Sequence, residues 1–302
     1  MRLILLLLVL FISLPAYAVQ CNNVDDTATI QAAVDSAKAP GGSGKVELPV
    51  GYCAVSSLDL TNIESLIFSG QGRETTYILA ILSGAAVLDL TGSRGIQLRD
   101  FQLGRANDKV TPSIGILTAQ RDGSKSSAEI SFRNIYVSGS YSLATWLNLG
   151  VDSSSAHQSQ FYNYINGIGT VVFTAQNWMG AVSLFQTLQT NSYEPSDWSL
   201  FQVEIHNMSR NASASTGGWG FWLGGADSVR MFGGNVSGQG PDGWVSLNNT
   251  GGFKSRNILF SGTTFYSDYG VLASCAIQGV RHSAGLTLQA NSYPSAVSLS
   301  CW

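Results

Sequence analysis

Along most of this chain apolar and polar residues alternate, and Gly, Asn or Asp interrupts the alternation at intervals. The clearest copies are Leu66-x-Phe68-x-Gly70, Ile96-x-Leu98-x-Asp100, Ile130-x-Phe132-x-Asn134, Val203-x-Ile205-x-Asn207, Val229-x-Met231-x-Gly233 and Ile258-x-Phe260-x-Gly262. Tyr162-x-Tyr164-x-Asn166 fits less well, and Leu286-x-Leu288 is a degenerate last copy. A period of two predicts strands with one face inward and one outward. Gly, Asn and Asp suit the sharp turn because they tolerate left-handed backbone angles. Successive turn positions lie 30, 34, 32, 41, 26 and 29 residues apart. Spacing of this kind marks a solenoid of strand-sized units. Alternation alone also fits a β-sandwich, so the start of the chain has to decide.

There the period changes. Ile30, Ala33, Val34 and Ala37 fall at i, i+3, i+4 and i+7, which predicts an amphipathic helix over 26–38 with Asp26 as its N-cap. Gly41, Gly42 and Gly44 end it. Val46 and Leu48 then alternate with Lys45 and Glu47, and Pro49-Val50-Gly51-Tyr52 turns into the next strand. Asp25-Asp26-Thr27, Ile30-Gln31-Ala32-Ala33 and Lys45 to Tyr52 together resemble the start of right-handed parallel β-helix proteins of the pectate-lyase-like superfamily. In that group a short helix caps the first coil. The resemblance implies an all-β solenoid: a single-stranded right-handed parallel β-helix of about eight coils. It would form one domain over 19–302, with an N-terminal cap at 19–44 and a C-terminal cap from about 270 to 302. It also implies a carbohydrate-active protein, although the polygalacturonase motifs Asn-Thr-Asp, Gly-Asp-Asp, Gly-His-Gly and Arg-Ile-Lys are all missing.

Residues 1–18 place Arg2 before an apolar run and end in Ala16-Tyr17-Ala18, a small-x-small cleavage site, so they read as a signal peptide. A membrane anchor is the other reading, but the run is short for a span and Pro15 breaks it. The protein is then expected to be secreted, periplasmic or on a cell or virion surface, and not membrane-spanning once cleaved. Only 12% of residues are charged, about half the usual share, as suits stacked strands and tight turns. A net charge of −3 argues against nucleic acid as a partner. It leaves a polysaccharide, even an acidic one, if arginines line a groove. Export permits disulfides, and Cys21, Cys53, Cys275 and Cys301 sit at the two ends of the mature chain. Pairing Cys21 with Cys53 and Cys275 with Cys301 is favoured, since it staples both ends.

Stacked repeats place outward residues in columns about 4.8 Å apart. The expected first column is Ile67, Gln97, Ser131, Asn163, Glu204, Arg230 and Leu259; the second is Ser69, Arg99, Arg133, Ile165, His206, Phe232 and Ser261. Arg99, Arg133, Glu204, His206 and Arg230 would then share one face. A polysaccharide lyase needs a base beside a uronate carboxylate and a cation or donor to hold the enolate. His206 is the candidate base, and Arg133 or Arg230 the carboxylate fork. A glycoside hydrolase instead needs two carboxyl groups, for which Glu204 would pair with Glu194, Asp197 or Asp227. A surface ion pair between Glu204 and Arg230 is the plainer alternative.

Aromatic residues gather between 178 and 244, among them Tyr193, Trp198, Trp219, Trp222 and Trp244. With Arg99 they are the candidate substrate-binding residues, because sugar rings pack on flat apolar faces; core burial explains them equally well. Asn207, Asn211, Asn235 and Asn248 head glycosylation sequons. His157, His206 and His282 show no zinc spacing, and no loop shows a calcium pattern, so no metal or other cofactor is expected. The reading is an exported protein that cleaves a polysaccharide by lyase or hydrolase chemistry. The alternative is a glycan-binding adhesin or virion spike. Spikes of this fold are often trimers, but nothing in the sequence supports a homotrimer.

Overall fold

The computed structural model describes residues 19–120, 128–151, 154–163, 180–185, 195–207, 219–238, 243–248, 254–266, 275–293 and 297–302. The expected signal peptide, Tyr193, Glu194 and Asn211 lie outside them. Among the described residues no helix is long and apolar enough to cross a membrane.

Helix α1, Thr27–Lys38, buries Ile30, Val34 and Ala37 on the first coil. Gly42 follows where a Cβ would stand 2.4 Å from the carbonyl oxygen of Ser36, so only glycine fits this reversal. Asp26 does stand at the N-cap, its carbonyl accepting the Ile30 amide at 2.9 Å, but its carboxylate makes no cap bond to the helix. It is buried and accepts the amides of Asn22 (2.7 Å), Asn23 (3.3 Å) and Ala54 (2.9 Å) instead. Asp26 thus ties the leading segment and the first coil to the helix start, while Asp25 accepts the Thr27 amide at 3.0 Å. The Cys21–Cys53 disulfide closes the same corner and Cys275–Cys301 closes the other end, both as expected.

After the helix the coils from Leu58 to Tyr266 each carry three parallel strand segments, and the last levels carry fewer. The first strands, Leu58–Asp59 through Ser298–Ser300, build a nine-stranded sheet, one level more than the eight coils expected. The second and third strands share a fifteen-stranded sheet that folds over a corner. One residue with positive φ makes that corner: Asp100, Asn134, Gln158, Gln202, Gly233 and Gly262 on successive coils. Asn134 Nδ2 donates to Asp100 Oδ1 at 2.8 Å, so the corner is itself a ladder. All pairings are parallel and most neighbouring strands are consecutive coils, so the chain is a parallel β-helix.

The interior is mostly apolar, with Thr118 and Asn148 as buried polar exceptions at mid-chain. Every apolar residue of the six clear repeats is buried, Leu66 and Phe68 through Ile258 and Phe260. At mid-chain four rings fill the tube: Phe132, Trp146, Phe161 and Trp198, all fully buried. Trp146 packs edge-on to Trp198 with centroids 4.5 Å apart and to Phe132 at 5.0 Å. The cluster backs the strands that carry the site described next.

Candidate functional site

The observed register divides the expected columns in two. Along the second strands, Gln97 pairs with Ser131, Ser155, Ser199, Arg230 and Leu259 in turn. Beside it run Ser69, Arg99, Arg133, His157, Phe201, Phe232 and Ser261. Asn163, Glu204 and His206 are therefore not in these columns, and Ile165 lies outside the described residues. Residues 154–158 and 198–202 supply the two coils. Val203-x-Ile205-x-Asn207 does alternate inward and outward, but it begins the third strand of its coil, past the corner at Gln202.

On that third-strand face a different set meets. Gln160 pairs with Glu204, and Glu204 with Asn235; His206 pairs with Ser237, and Ser237 with Tyr266. Ile205 points into the core, so Glu204 and His206 point outward. His206 is nonetheless only 2% exposed. Its Nδ1 lies 2.9 Å from Ser237 Oγ and 3.0 Å from the Tyr266 hydroxyl, which is 3.3 Å from Nε2. The Glu204 carboxylate stands 3.7 Å from Nε2 and accepts Gln160 Nε2 at 2.8 Å. A carboxylate beside Nε2 favours the proton on that nitrogen, leaving Nδ1 as the acceptor facing two hydroxyls. Tyr266 is half-buried and is the more accessible end of the chain of contacts. The arrangement can pass a proton between the tyrosine hydroxyl and the imidazole while the carboxylate stabilises the imidazolium.

Around the corner the second-strand face holds a cavity of about 520 Å³, lined by Arg99, Arg133, His157, Phe201 and the corner amides of Gln158 and Gln202 among others. The two arginines are in register on adjacent coils. His157 stacks on Phe201 at 4.8 Å and 8°, and Phe201 on Phe232 at 5.3 Å and 15°. Burial pulls the His157 pKa below its ordinary value, and the charge of Arg133 lowers it further.

The other candidates are dispersed. Arg230 is exposed between Ser199 and Leu259, not opposite Glu204. Asp197 is exposed at the entry to its second strand, near Glu129, on a shallow cleft of about 320 Å³. Asp227 is committed to Arg256 (3.0 Å), Asn257 (2.9 Å) and Ser228 (3.1 Å). Partial burial raises its pKa, but these partners together hold it below the usual carboxylate range. Asp197 precedes the second strand of its coil and Glu204 begins the third, past the corner at Gln202, so the two lie on different faces of the coil and not side by side as a hydrolase pair must be.

The tryptophans need correcting too. Trp198 and Trp244 are fully buried core residues, so they cannot meet a sugar. Trp219 is 9% exposed, and its carbonyl accepts the Asn207 side chain at 2.9 Å, which also buries that sequon. Trp222 does point outward, but it packs against Ile114, Ala144 and Leu147. Among the described residues one trio of metal-type ligands lies together, Cys21, Asp26 and Cys53, and its cysteines form a disulfide. Sequence reasoning missed Tyr266, Ser237, Gln160, His157 and Phe201. The signal for the first three was a second alternating column, one strand after the first.

No protein-family model matches the chain, and no curated protein sequence matches it. Solved structures do. An alginate lyase from Paenibacillus sp. superposes with a TM-score of 0.52 at 11% identity, over 91% of this chain and 96% of that one. The A-module of a mannuronan C-5 epimerase from Azotobacter vinelandii gives 0.44 at 16% identity, over 95% and 96%. A surface adhesin of Streptococcus pneumoniae gives 0.45 at 12%, over 92% and 88%. At such identities the likeness concerns the fold.

Proposed function

We propose that this chain is an exported carbohydrate-active protein that removes the proton beside the carboxylate of a uronate in an acidic polysaccharide. The observation that carries the reading is the Tyr266 hydroxyl held between the ring nitrogens of a buried His206, with Glu204 behind the ring. His206 is too enclosed to touch a polymer, so Tyr266 meets the substrate. Its hydroxyl gives a proton to Nδ1, and the phenolate takes the proton beside the carboxylate. The electron pair left on carbon forms an enolate. Expulsion of the neighbouring glycosidic oxygen, which takes the proton now on Tyr266, then leaves an unsaturated end, while return of a proton from water on the opposite face inverts the sugar. Glu204 steadies the imidazolium throughout. The separation of Glu204 from Asp197 and the commitment of Asp227 argue against the two-carboxylate hydrolysis otherwise expected. The two disulfides and the expected signal peptide support action outside the cytoplasm.

The test is to incubate the mature protein with a panel of polyuronates and follow ultraviolet absorbance of unsaturated ends, sugar configuration and reducing ends. Tyr266→Phe and His206→Gln should each reduce turnover by about 10²–10⁴-fold, the usual weight of a positioned acid–base group. Reducing ends without absorbance, with Glu204→Gln as the damaging change, would show hydrolysis and defeat the proposal. Binding with neither cleavage nor inversion would leave the adhesin or virion-spike reading in its place.

A further inference from the structure

The second-strand cavity is not part of the acid–base cluster, and its charges are not balanced. Arg99 and Arg133 face each other across one coil step, about 4.8 Å, and so repel. The nearest carboxylate is Asp100, 3.9 Å from Arg99 Nε, and Asn134 already engages that carboxylate through its other oxygen at 2.8 Å. Arg99 Nε is buried with no hydrogen-bond partner. Among the described residues Arg133 has no ion-pair partner, although it is exposed. Two neighbouring guanidiniums, one with an unsatisfied N–H, form a ready fork for a planar anion. The next two positions of the same column form an aromatic wall: His157, whose pKa burial and Arg133 hold below its ordinary value, and Phe201, which is 38% exposed. A bare inorganic anion would leave that wall in water. The cavity's volume of about 520 Å³ is room for a sugar ring and not only an ion.

We infer that this cavity is a uronate subsite, in which Arg99 and Arg133 take the carboxylate of one sugar while its C–H face packs on His157 and Phe201. Gln158 and Gln202 close the corner side of the same cavity, with Gln158 Nε2 donating to Gln202 Oε1 at 3.4 Å. This deepens the proposed function by assigning charge selection to a place one face away from the chemistry. A polymer bound here is anchored across the corner from Tyr266.

The test is calorimetric binding of a uronate hexasaccharide and of the same oligomer with its carboxyl groups reduced to alcohols. Tyr266→Phe serves as the background, so that the oligomer stays intact. Adding Arg99→Gln and Arg133→Gln should weaken the uronate at least tenfold and bring it level with the reduced oligomer, which should bind both proteins alike. Phe201→Ala should weaken both oligomers. Thermal midpoints are read alongside to confirm that the variants fold; Arg133 is exposed and should leave the midpoint unchanged. Equal uronate binding with and without the two arginines overturns the inference, and so does inorganic phosphate binding as tightly as the hexasaccharide. The two proposals separate cleanly. If the arginine pair governs binding but the wild type changes no polymer, the reaction fails and the subsite stands. If the wild type acts on polyuronate and the arginine pair does not matter, the subsite alone fails.

Discussion

Replacing Trp198 by alanine separates a core tryptophan from a sugar platform, the two roles the sequence left open. The indole is fully buried, edge-on to Trp146 at 4.5 Å and tilted on Phe132 at 5.8 Å. A buried indole hides roughly 150–250 Å², worth about 4–6 kcal/mol at ~25 cal/mol per Å². Against this, Nε1 is buried without a partner in the tube, which costs about 1–3 kcal/mol. The net loss expected for Trp198→Ala is about 1–5 kcal/mol, toward the upper end where a cavity is left, as in other buried aromatic truncations at about 3–5 kcal/mol. Thermal unfolding followed by circular dichroism should show the midpoint falling on the order of 10 °C. Trp198→Phe should lose much less, since it keeps a ring and removes the unpaired N–H. At a temperature where Trp198→Ala is still folded, oligosaccharide binding should match the wild type. An unchanged midpoint with binding abolished would refute the reasoning, because it would put the indole on the surface.

Asp26→Ala removes the acceptor of three backbone amides around a buried carboxylate, so it should cost about 2–4 kcal/mol. Hydrogen exchange should accelerate over 19–38 while the central coils keep their protection, and uniform exchange would contradict the assigned role. Because His157 titrates lower in the folded chain than unfolded, the folded state binds fewer protons. Its contribution to stability is thus present above the unfolded value, about 6.5, and fades as the pH falls through the folded one. In Arg133→Gln the His157 midpoint, read by nuclear magnetic resonance, should rise but stay below the ordinary value, since burial is the larger cause; an unmoved midpoint would remove Arg133 from that site.

The helix, the disulfide pairing and the buried faces of the strands were legible in the sequence, because period and burial are locally coupled. Ile30 and Val34, Leu66 and Phe68, and Val203 and Ile205 are all interior, as the alternation requires. The assignment of strands to levels was not legible. Between its second and third strands a coil bends sharply within a residue or two of positive φ, so the strands before and after that corner both read apolar-x-apolar. Trp198-x-Leu200-x-Gln202 and Val203-x-Ile205-x-Asn207 belong to one coil, and choosing the second moved Glu204 and His206 into the wrong columns. Gln158 and Gln202 hid the corner, since glutamine is not a usual turn residue. Trp198 carried its own correction, for it alternates with buried Leu200. Tyr266 alternates with buried Phe265, but nothing local ties it to His206. It reaches His206 from 60 residues away, through two coil steps that only the register reveals.

The central claim is that Tyr266 and His206 move the proton beside a uronate carboxylate, and deuterium reports that step whether elimination or inversion follows. The mature protein, incubated with polyuronate in heavy water, should replace that carbon-bound hydrogen with deuterium in inverted sugars, or lose it in unsaturated ends, as read by nuclear magnetic resonance of the polymer. Tyr266→Phe should do neither while still binding the polymer. A wild type that binds polyuronate yet leaves every such hydrogen in place, or a Tyr266→Phe variant that removes them at the wild-type rate, would contradict the account.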